Sequence, residues 1–148
     1  MPSFEDVHAI SALVYRYAEL IDAGDLDALA AMFEHATWGA GTRTERLHGT
    51  EQVRRGYGGV ILYEEGTPRT KHVITNLAVD VADGATRATA RSYFTVLQAT
   101  EGLTLQPIIA GRYDDEFEKV DGTWRFRERI IHPDLHGDLS KHMRGPTR

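Results

Sequence analysis

Residues 10–33 read ISALVYRYAELIDAGDLDALAAMF, and this segment carries the clearest structural pattern in the chain. Apolar residues recur in it every three or four positions, which is the spacing of one face of an amphipathic helix. Gly24 stands where a left-handed residue would end that helix, and Asp25 can cap a second helix from Leu26 to Phe33. The apolar face of the first helix comprises Ile10, Leu13, Val14, Tyr17, Ala18 and Ile21. The segment therefore predicts two consecutive helices near the start of the chain.

The rest of the chain is predicted to be mainly β-structure. We expect a short strand around Trp38 and a weaker helix from Gly49 to Leu62. Four longer segments rich in β-branched and aromatic residues then predict strands: Lys71 to Val81, Thr86 to Ala99, Leu105 to Val120 and Thr123 to Ile131. The turn Asp121-Gly122 favours antiparallel pairing, and Gly111 is a predicted bulge. This order predicts an α+β fold, in which N-terminal helices pack on a strongly curved antiparallel sheet and enclose a pocket.

Composition restricts the classes of protein to consider. The 148 residues predict a single domain, 1–148, with a core from about 7 to 131 and a C-terminal tail from 132 to 148. Seventeen Lys and Arg against 22 Asp and Glu give a net charge of −5, which argues against nucleic-acid binding. The absence of cysteine excludes disulfides and thiolate chemistry. With no signal peptide or membrane span in the sequence, we expect a cytoplasmic protein with no membrane partner.

Four motifs together resemble the SnoaL-like branch of the nuclear transport factor two-like superfamily. They are YAELIDAGDLD at 17–27, HVITN at 72–76, GRYDD at 111–115 and GTWRFRER at 122–129. The resemblance implies a conical α+β fold with a deep pocket, and assembly as a homodimer or homotrimer. Scytalone dehydratase, lindane dehydrochlorinase and bile-acid dehydratase belong to this superfamily, but so do non-catalytic proteins. The site must therefore decide between functions.

Asp22 and His72 are the predicted catalytic pair. In the dehydratase and dehydrochlorinase relatives an Asp at the matching helix end pairs with a His in the matching strand, so the resemblance assigns these roles to Asp22 and His72. An imidazole, with an ordinary pKa of ~6.5, can accept a proton near neutral pH. A buried carboxylate on its other nitrogen fixes the tautomer and stabilises the imidazolium. From the residues alone, a solvated turn aspartate and a structural histidine remain the alternative.

Further site residues are predicted around this pair. Tyr17 could polarise a carbonyl or a leaving hydroxyl, and the dehydrochlorinase resemblance offers Arg129 as an electrophilic clamp on the departing group. The alternatives are a core tyrosine, and an arginine in a solvated row with Arg125 and Arg127. Asn76 is expected on the strand face of the candidate histidine, where it would either orient substrate or satisfy a neighbouring backbone group. The predicted pocket lining is Trp38, Phe33, Tyr57, Phe94 and Ile109.

No metal or cofactor is predicted. His132, His136 and His142 lie close together in the sequence, but Pro133 argues against the helix that would place the first two on one face. We expect a cofactor-independent lyase or isomerase, dehydratase-like, that abstracts a proton from a small, apolar, cyclic substrate. The alternative is a non-catalytic small-molecule-binding or assembly protein of the same fold.

One strand face also predicts oligomerisation. The strand face opposite His72 carries Val73, Leu77, Val79 and Val81. Unless a bulge resets the alternation, that face is apolar and needs cover from another subunit. A homodimer or homotrimer is expected under either function. A closed pocket with His72 at its bottom would favour catalysis, whereas an open or filled pocket would favour binding.

Overall fold

The computed structural model describes residues 2–41 and 44–145, and its first element is the predicted long helix. Helix α1 spans Phe4–Ala23. The Ser3 side chain caps its start by accepting a hydrogen bond from the backbone N–H of Asp6 at 3.1 Å. Gly24 ends it with a φ of 75°, in the left-handed region where glycine is not strained. The apolar stripe packs against the sheet, which confirms the predicted helix and its face.

The next two helices are shorter than predicted. Helix α2 spans Leu26–Ala31 and stops before Phe33, and Asp25 caps it as expected. Helix α3 spans Gly49–Gly56 and stops well before Leu62. Glycine is a poor helix former, because ordering its backbone costs more conformational entropy than for other residues. Three glycines lie at or beyond the end of α3, at positions 56, 58 and 59.

Six strands form one sheet in the order β2-β1-β6-β5-β4-β3. They are β1 Thr37–Ala40, β2 Leu47–His48, β3 Thr70–Val81, β4 Arg87–Thr100, β5 Leu103–Val120 and β6 Thr123–His136. All neighbours are antiparallel except β1 and β6, which are parallel. The strand around Trp38 and the four long strands are confirmed. Strand β2 was not predicted, because two residues are too few to show alternation. The extension of β6 beyond Ile131 was not predicted either; it runs through Pro133, which pairs with Gly111 at a bulge.

Gly111 is the predicted bend in the sheet. The register between β5 and β6 shifts between Ala110 and Gly111, and the extra residue is Asp134 of β6, so the bulge lies on the strand opposite Gly111. A Cβ at this position would overlap the backbone carbonyl of His132 on β6. Gly111 thus lets β5 and β6 approach closely where the sheet curves.

A second bulge, in β3, overturns the predicted apolar face. The register with β4 shifts between Thr75 and Ala78, and Asn76 has a φ of 53°. Because the bulge resets the alternation, Leu77, Val79 and Val81 pack against the core. The predicted apolar face opposite His72 is therefore wrong, since only Val73 of that set is exposed, at 40%. Asn76 itself is solvent-exposed.

A third bulge, in β6, separates Arg129 from the other two arginines of its motif. Glu116 pairs with Glu128 and Phe117 with Phe126, so one residue of β6 is extra between these pairs. Arg125 and Arg127 stay outside and pair with Glu118 and Glu116. Arg129 turns to the inner face and is 0% exposed. The prediction of one solvated arginine row is wrong for Arg129, because the bulge reverses the alternation.

Packed aromatic side chains occupy the space between the helices and the inner face of the sheet. Phe33 of the segment after α2 stacks on Phe126 with ring centroids 5.0 Å apart, and Phe94 stacks on Tyr113 at 4.6 Å. Tyr17 of α1 meets Phe33 edge to face. The region where a curved sheet was expected to enclose a pocket is thus filled by the protein's own side chains at these positions.

The chain after β6 turns back toward the loop that follows α3. Val60 and Met143 form an isolated antiparallel bridge between them. Met1 and residues 146–148, which the predicted domain and tail include, lie outside the described residues. None of the helices described is both long and apolar enough to cross a membrane.

Candidate functional site

Asp22 and His72 meet at one edge of the sheet. Asp22 lies in the last turn of α1, and His72 is the third residue of β3, the edge strand that packs against α1. Asp22 Oδ1 lies 2.6 Å from His72 Nδ1, and Oδ2 accepts a hydrogen bond from the His72 backbone N–H at 2.8 Å. The His72 side chain is 6% exposed and that of Asp22 11%. The pair that the sequence singled out is therefore in direct, largely buried contact.

Thr70 supplies a third hydrogen bond to Asp22. It precedes His72 by two positions and shares its strand face, and its hydroxyl donates to Asp22 Oδ1 at 2.8 Å. Burial works to raise the pKa of Asp22, but the hydrogen bonds from His72 and Thr70 outweigh it, so the pKa of this carboxyl is lowered. These donors also compensate for the unfavourable position of a carboxylate at a helix C-terminus. The sequence reasoning missed Thr70, although the period-two spacing to His72 was a usable signal.

The contact determines which nitrogen of His72 is available. An ionised carboxylate can only accept hydrogen bonds, so His72 Nδ1 carries the hydrogen shared with Asp22. Nε2 then holds the lone pair. Among the described residues the hydrogen bonds of the His72 side chain all run through Nδ1, so Nε2 can act as a proton acceptor. This is the arrangement that orients a general base.

A surface groove of about 460 Å³ between α1 and β3 leads to the pair. Its lining includes both Asp22 and His72. The other lining side chains are partly apolar, and three are polar: Tyr15, Glu19 and Lys71. The apolar ones are Ala18, Ala23 and Ile74. The groove is open and mixed in polarity, unlike the closed apolar pocket that was expected to favour catalysis.

The other predicted site residues of the helical layer gather in the interior, away from the groove. The hydroxyl groups of Tyr17 and Tyr57 are hydrogen-bonded to each other, and Trp38 Nε1 donates to the Tyr57 hydroxyl at 3.1 Å. Burial raises the pKa of Tyr17, so its hydroxyl is neutral. Phe33, Phe94 and Ile109 belong to or pack against the same core. These residues are together, but none of them lines the groove beside His72.

Arg129 lies in the same interior cluster. Its guanidinium makes two hydrogen bonds of 2.8 Å to the Asp115 carboxylate, and it lies over the rings of Tyr17, Tyr113 and Phe126 at 3.8–5.0 Å. Burial acts to lower the pKa of Arg129, but Asp115 outweighs it and the pKa is raised. Arg129 is thus a buried, ion-paired cation that does not line the groove.

Asn76 lines a different cavity. At the β3 bulge it borders a space of about 500 Å³ with Arg91, Tyr93 and Arg112. His72 and Asp22 are absent from that lining. The structure therefore does not bring Asn76 to the candidate base.

His142 is the main neighbour of the pair that the sequence reasoning did not place there. Its ring meets that of His72 with centroids 6.3 Å apart and an interplanar angle of 63°. Burial, together with the nearby His72, lowers the pKa of His142 to about 4. Seventy residues of sequence separate the two histidines, so no local spacing could have indicated the contact.

Among residues 2–41 and 44–145, no group of three or more His, Cys, Asp or Glu side chains is arranged to hold a metal ion.

A few buried polar atoms of the described residues have no hydrogen-bond partner. They are Ser92 Oγ, Gln98 Oε1, Arg129 Nη1 and His142 Nδ1.

Comparison with known families gives one match. The family model described as a SnoaL-like domain matches residues 2–130. None of the curated proteins matches the sequence significantly.

Solved structures share the fold at low sequence identity. A variant of a protein of unknown function from Mycobacterium tuberculosis is 26% identical, with a TM-score of 0.71 over 88% of this chain and 73% of that one. A Novosphingobium aromaticivorans protein provisionally named a scytalone dehydratase is 21% identical, with a TM-score of 0.71 over 90% and 87%. A nuclear transport factor two-like protein with a cystatin-like fold, from the same organism, is 21% identical, with a TM-score of 0.70 over 93% and 86%. These similarities confirm the predicted fold class.

Proposed function

The chain belongs to the SnoaL-like domain family, and from this premise we propose that it is a cofactor-independent lyase or isomerase. In this proposal His72 removes a proton from a carbon atom of a small organic substrate bound in the groove between α1 and β3. The contact between His72 and Asp22, 2.6 Å long and largely buried, is the observation that carries the proposal. One similar structure bears the provisional name of a dehydratase, which is a reaction of this class.

The reaction follows from the two nitrogens of the imidazole. Nε2 takes the proton from a carbon next to a carbonyl, and His72 becomes an imidazolium. Asp22, held by Thr70 and by the His72 backbone, stabilises that positive charge through Nδ1. The electron pair of the C–H bond then forms a C=C bond. In dehydration the hydroxyl on the next carbon leaves as water, with the proton that His72 Nε2 returns to it; in isomerisation Nε2 returns the proton to a different carbon. A positioned base of this kind contributes about 10²–10⁴ in rate.

The lining of the groove changes the class of substrate that the sequence led us to expect. Ala18 and Ile74 offer an apolar floor, but Lys71 and Glu19 bring charge to its edge. We therefore propose a substrate with an apolar ring body that also carries a carbonyl and a hydroxyl. Tyr17 and Arg129 lie outside the groove, so in this proposal they support the core, and neither touches the substrate.

Dehydration of a cyclic β-hydroxy ketone tests the proposal. With 3-hydroxy-α-tetralone as the probe, loss of the proton on C2 and of the hydroxyl on C3 yields the fluorescent α-naphthol. His72→Gln should lower turnover by about 10²–10⁴, and Asp22→Asn should lower it less, because the base remains. His136→Gln is the matched control, since it removes an exposed histidine far from the groove. Equal turnover by wild type and His72→Gln, with both folded by circular dichroism, would rule out the base assignment.

A binding protein is the second candidate, and a specific observation favours it. The groove is open to solvent, and the interior between helices and sheet is filled by Tyr17, Phe33 and Phe94. If the probe binds without turnover, and its NMR shift changes map to Ala18, Lys71 and Ile74, the groove holds ligands without chemistry. A homodimer or homotrimer stays a proposal under either function, and light scattering of the purified protein measures it.

A further inference from the structure

Residues 137–145, here termed the C-terminal segment, are tied to three separate parts of the fold. The backbone N–H of Gly137 donates to the carbonyl of Ile108 at 2.8 Å. Further along, the N–H of Ile61 donates to the carbonyl of His142, and the N–H of Arg144 to that of Gly59, both at 2.8 Å. These bonds connect the segment to β5 and to the loop after α3.

Two side chains also hold the residue before His142. Gln98, 1% exposed on β4, donates from Nε2 to the carbonyl of Lys141 at 3.0 Å. The hydroxyl of Tyr63 donates to the same carbonyl. Anchored on both sides, His142 is placed by the fold, and its position against His72 is not an accident of a loose terminus.

His142 lies beside His72 without lining the groove. It is buried, with 5% of the residue exposed. Among the residues that the structure describes, no group forms a hydrogen bond with its buried Nδ1. An unpaired buried polar atom is costly, so its presence next to a candidate base calls for a partner that another state of the site supplies.

We propose that His142 is a positioning residue for the His72 base, whose neutral ring accepts a hydrogen bond at Nδ1 from the protonated His72 ring. The inference rests on the proposed function. When His72 gains a proton, Asp22 accepts the hydrogen bond from Nδ1 of the imidazolium. The two rings, whose centroids are 6.3 Å apart, then shift toward each other so that Nε2 donates to His142 Nδ1. The cation is held between two acceptors until Nε2 returns its proton.

His142 has to stay neutral because a positive charge on its ring would repel that of protonated His72. The titratable groups that face it are His72 from β3 and Asp22 from α1, and the Gln98 amide from β4 carries no charge. Burial keeps the pKa of His142 at about 4, so a lone pair is present at neutral pH. A second proton would place two cationic rings side by side in a buried site, where their repulsion is weakly screened.

Nitrogen-detected NMR of the imidazoles tests the pair without any substrate. We expect His142 Nδ1 to be unprotonated at neutral pH, with a titration midpoint near 4 that rises in His72→Gln, because the neighbouring charge is gone. His136→Gln is the control and should leave the midpoint unchanged. A hydrogen on His142 Nδ1 at neutral pH, or a midpoint that ignores His72→Gln, overturns the proposal whether or not the protein is an enzyme.

The kinetic arm uses 3-hydroxy-α-tetralone. His142→Leu should lower kcat about 10- to 100-fold with little change in KM, the range expected for losing a hydrogen bond to a charged group. His142→Asn, whose amide oxygen can occupy the position of Nδ1, should recover most of the loss. Equal losses in both variants, or none in His142→Leu, would overturn the positioning role. If His72→Gln is itself fully active, the proposed function fails instead, and the NMR arm still reports on the imidazole pair.

Discussion

Lowering the pH from 7 to 5 should destabilise the protein by about 2 kcal/mol through His142 alone. Burial, with the charge of His72, reduces the pKa of this imidazole from 6.5 in the unfolded chain to about 4 in the native state. Between these values the unfolded state binds a proton that the folded state refuses, so stability falls as the pH falls. Each tenfold difference in proton affinity is worth about 1.4 kcal/mol, which limits the total loss to about 3–4 kcal/mol. A little over half of that loss lies between pH 7 and 5, and the contribution of His142 to stability is fully retained only at pH values above the pKa of the unfolded chain.

Urea unfolding followed by tryptophan fluorescence measures the effect. The free energy of unfolding of wild type should drop by about 2 kcal/mol more, from pH 7 to 5, than that of His142→Leu, which has no proton to refuse. His136→Leu, which removes an exposed histidine, should lose as much free energy of unfolding between pH 7 and 5 as wild type does. If wild type and His142→Leu instead lose stability in parallel, His142 is not kept neutral by its surroundings, and the reasoning from burial is refuted.

Two further predictions concern the core and the sheet. Arg129→Met should destabilise the protein by about 3–5 kcal/mol, because it leaves the Asp115 carboxylate buried and unpaired, and the double variant with Asp115→Leu should recover much of this in urea unfolding. A double variant no better than the single one would contradict that explanation. Gly111→Ala should cost about 1–3 kcal/mol, since its Cβ meets the carbonyl of His132. A Cβ at Gly145 has no atom of the described residues within 4 Å, so Gly145→Ala should leave the Tm unchanged. A Gly111→Ala protein as stable as wild type would show that β5 and β6 can separate there.

The sequence predicted well wherever the signal was local. The stripe of α1, its end at Gly24 and the four long strands depend on residues a few positions apart, and each was confirmed. The prediction that Asp22 belongs with His72 came from a family resemblance, and the structure places the two side chains in contact. The catalytic role of the pair stays a prediction.

Errors arose where alternation along a strand was assumed to be unbroken. The expected strand faces of Asn76 and Arg129 both rested on that assumption. At both places a bulge inserts a residue that shifts the later side chains to the other face. A bulge is a property of two paired strands, so one strand read alone carries little trace of it. The same assumption placed Leu77, Val79 and Val81 on an exposed face, whereas they pack inward.

Periodicity, capping residues and turn residues were enough to establish α1, the four long strands and their order along the chain, because such preferences act over a few neighbouring residues. Which side chains meet was settled by long-range packing. Asp22 and His72 touch because the end of α1 lies across the edge strand, and His142 joins them because the C-terminal segment folds back over β5 and the loop after α3. Aromatic side chains fill the interior for the same reason, leaving the candidate base at the surface groove between α1 and β3.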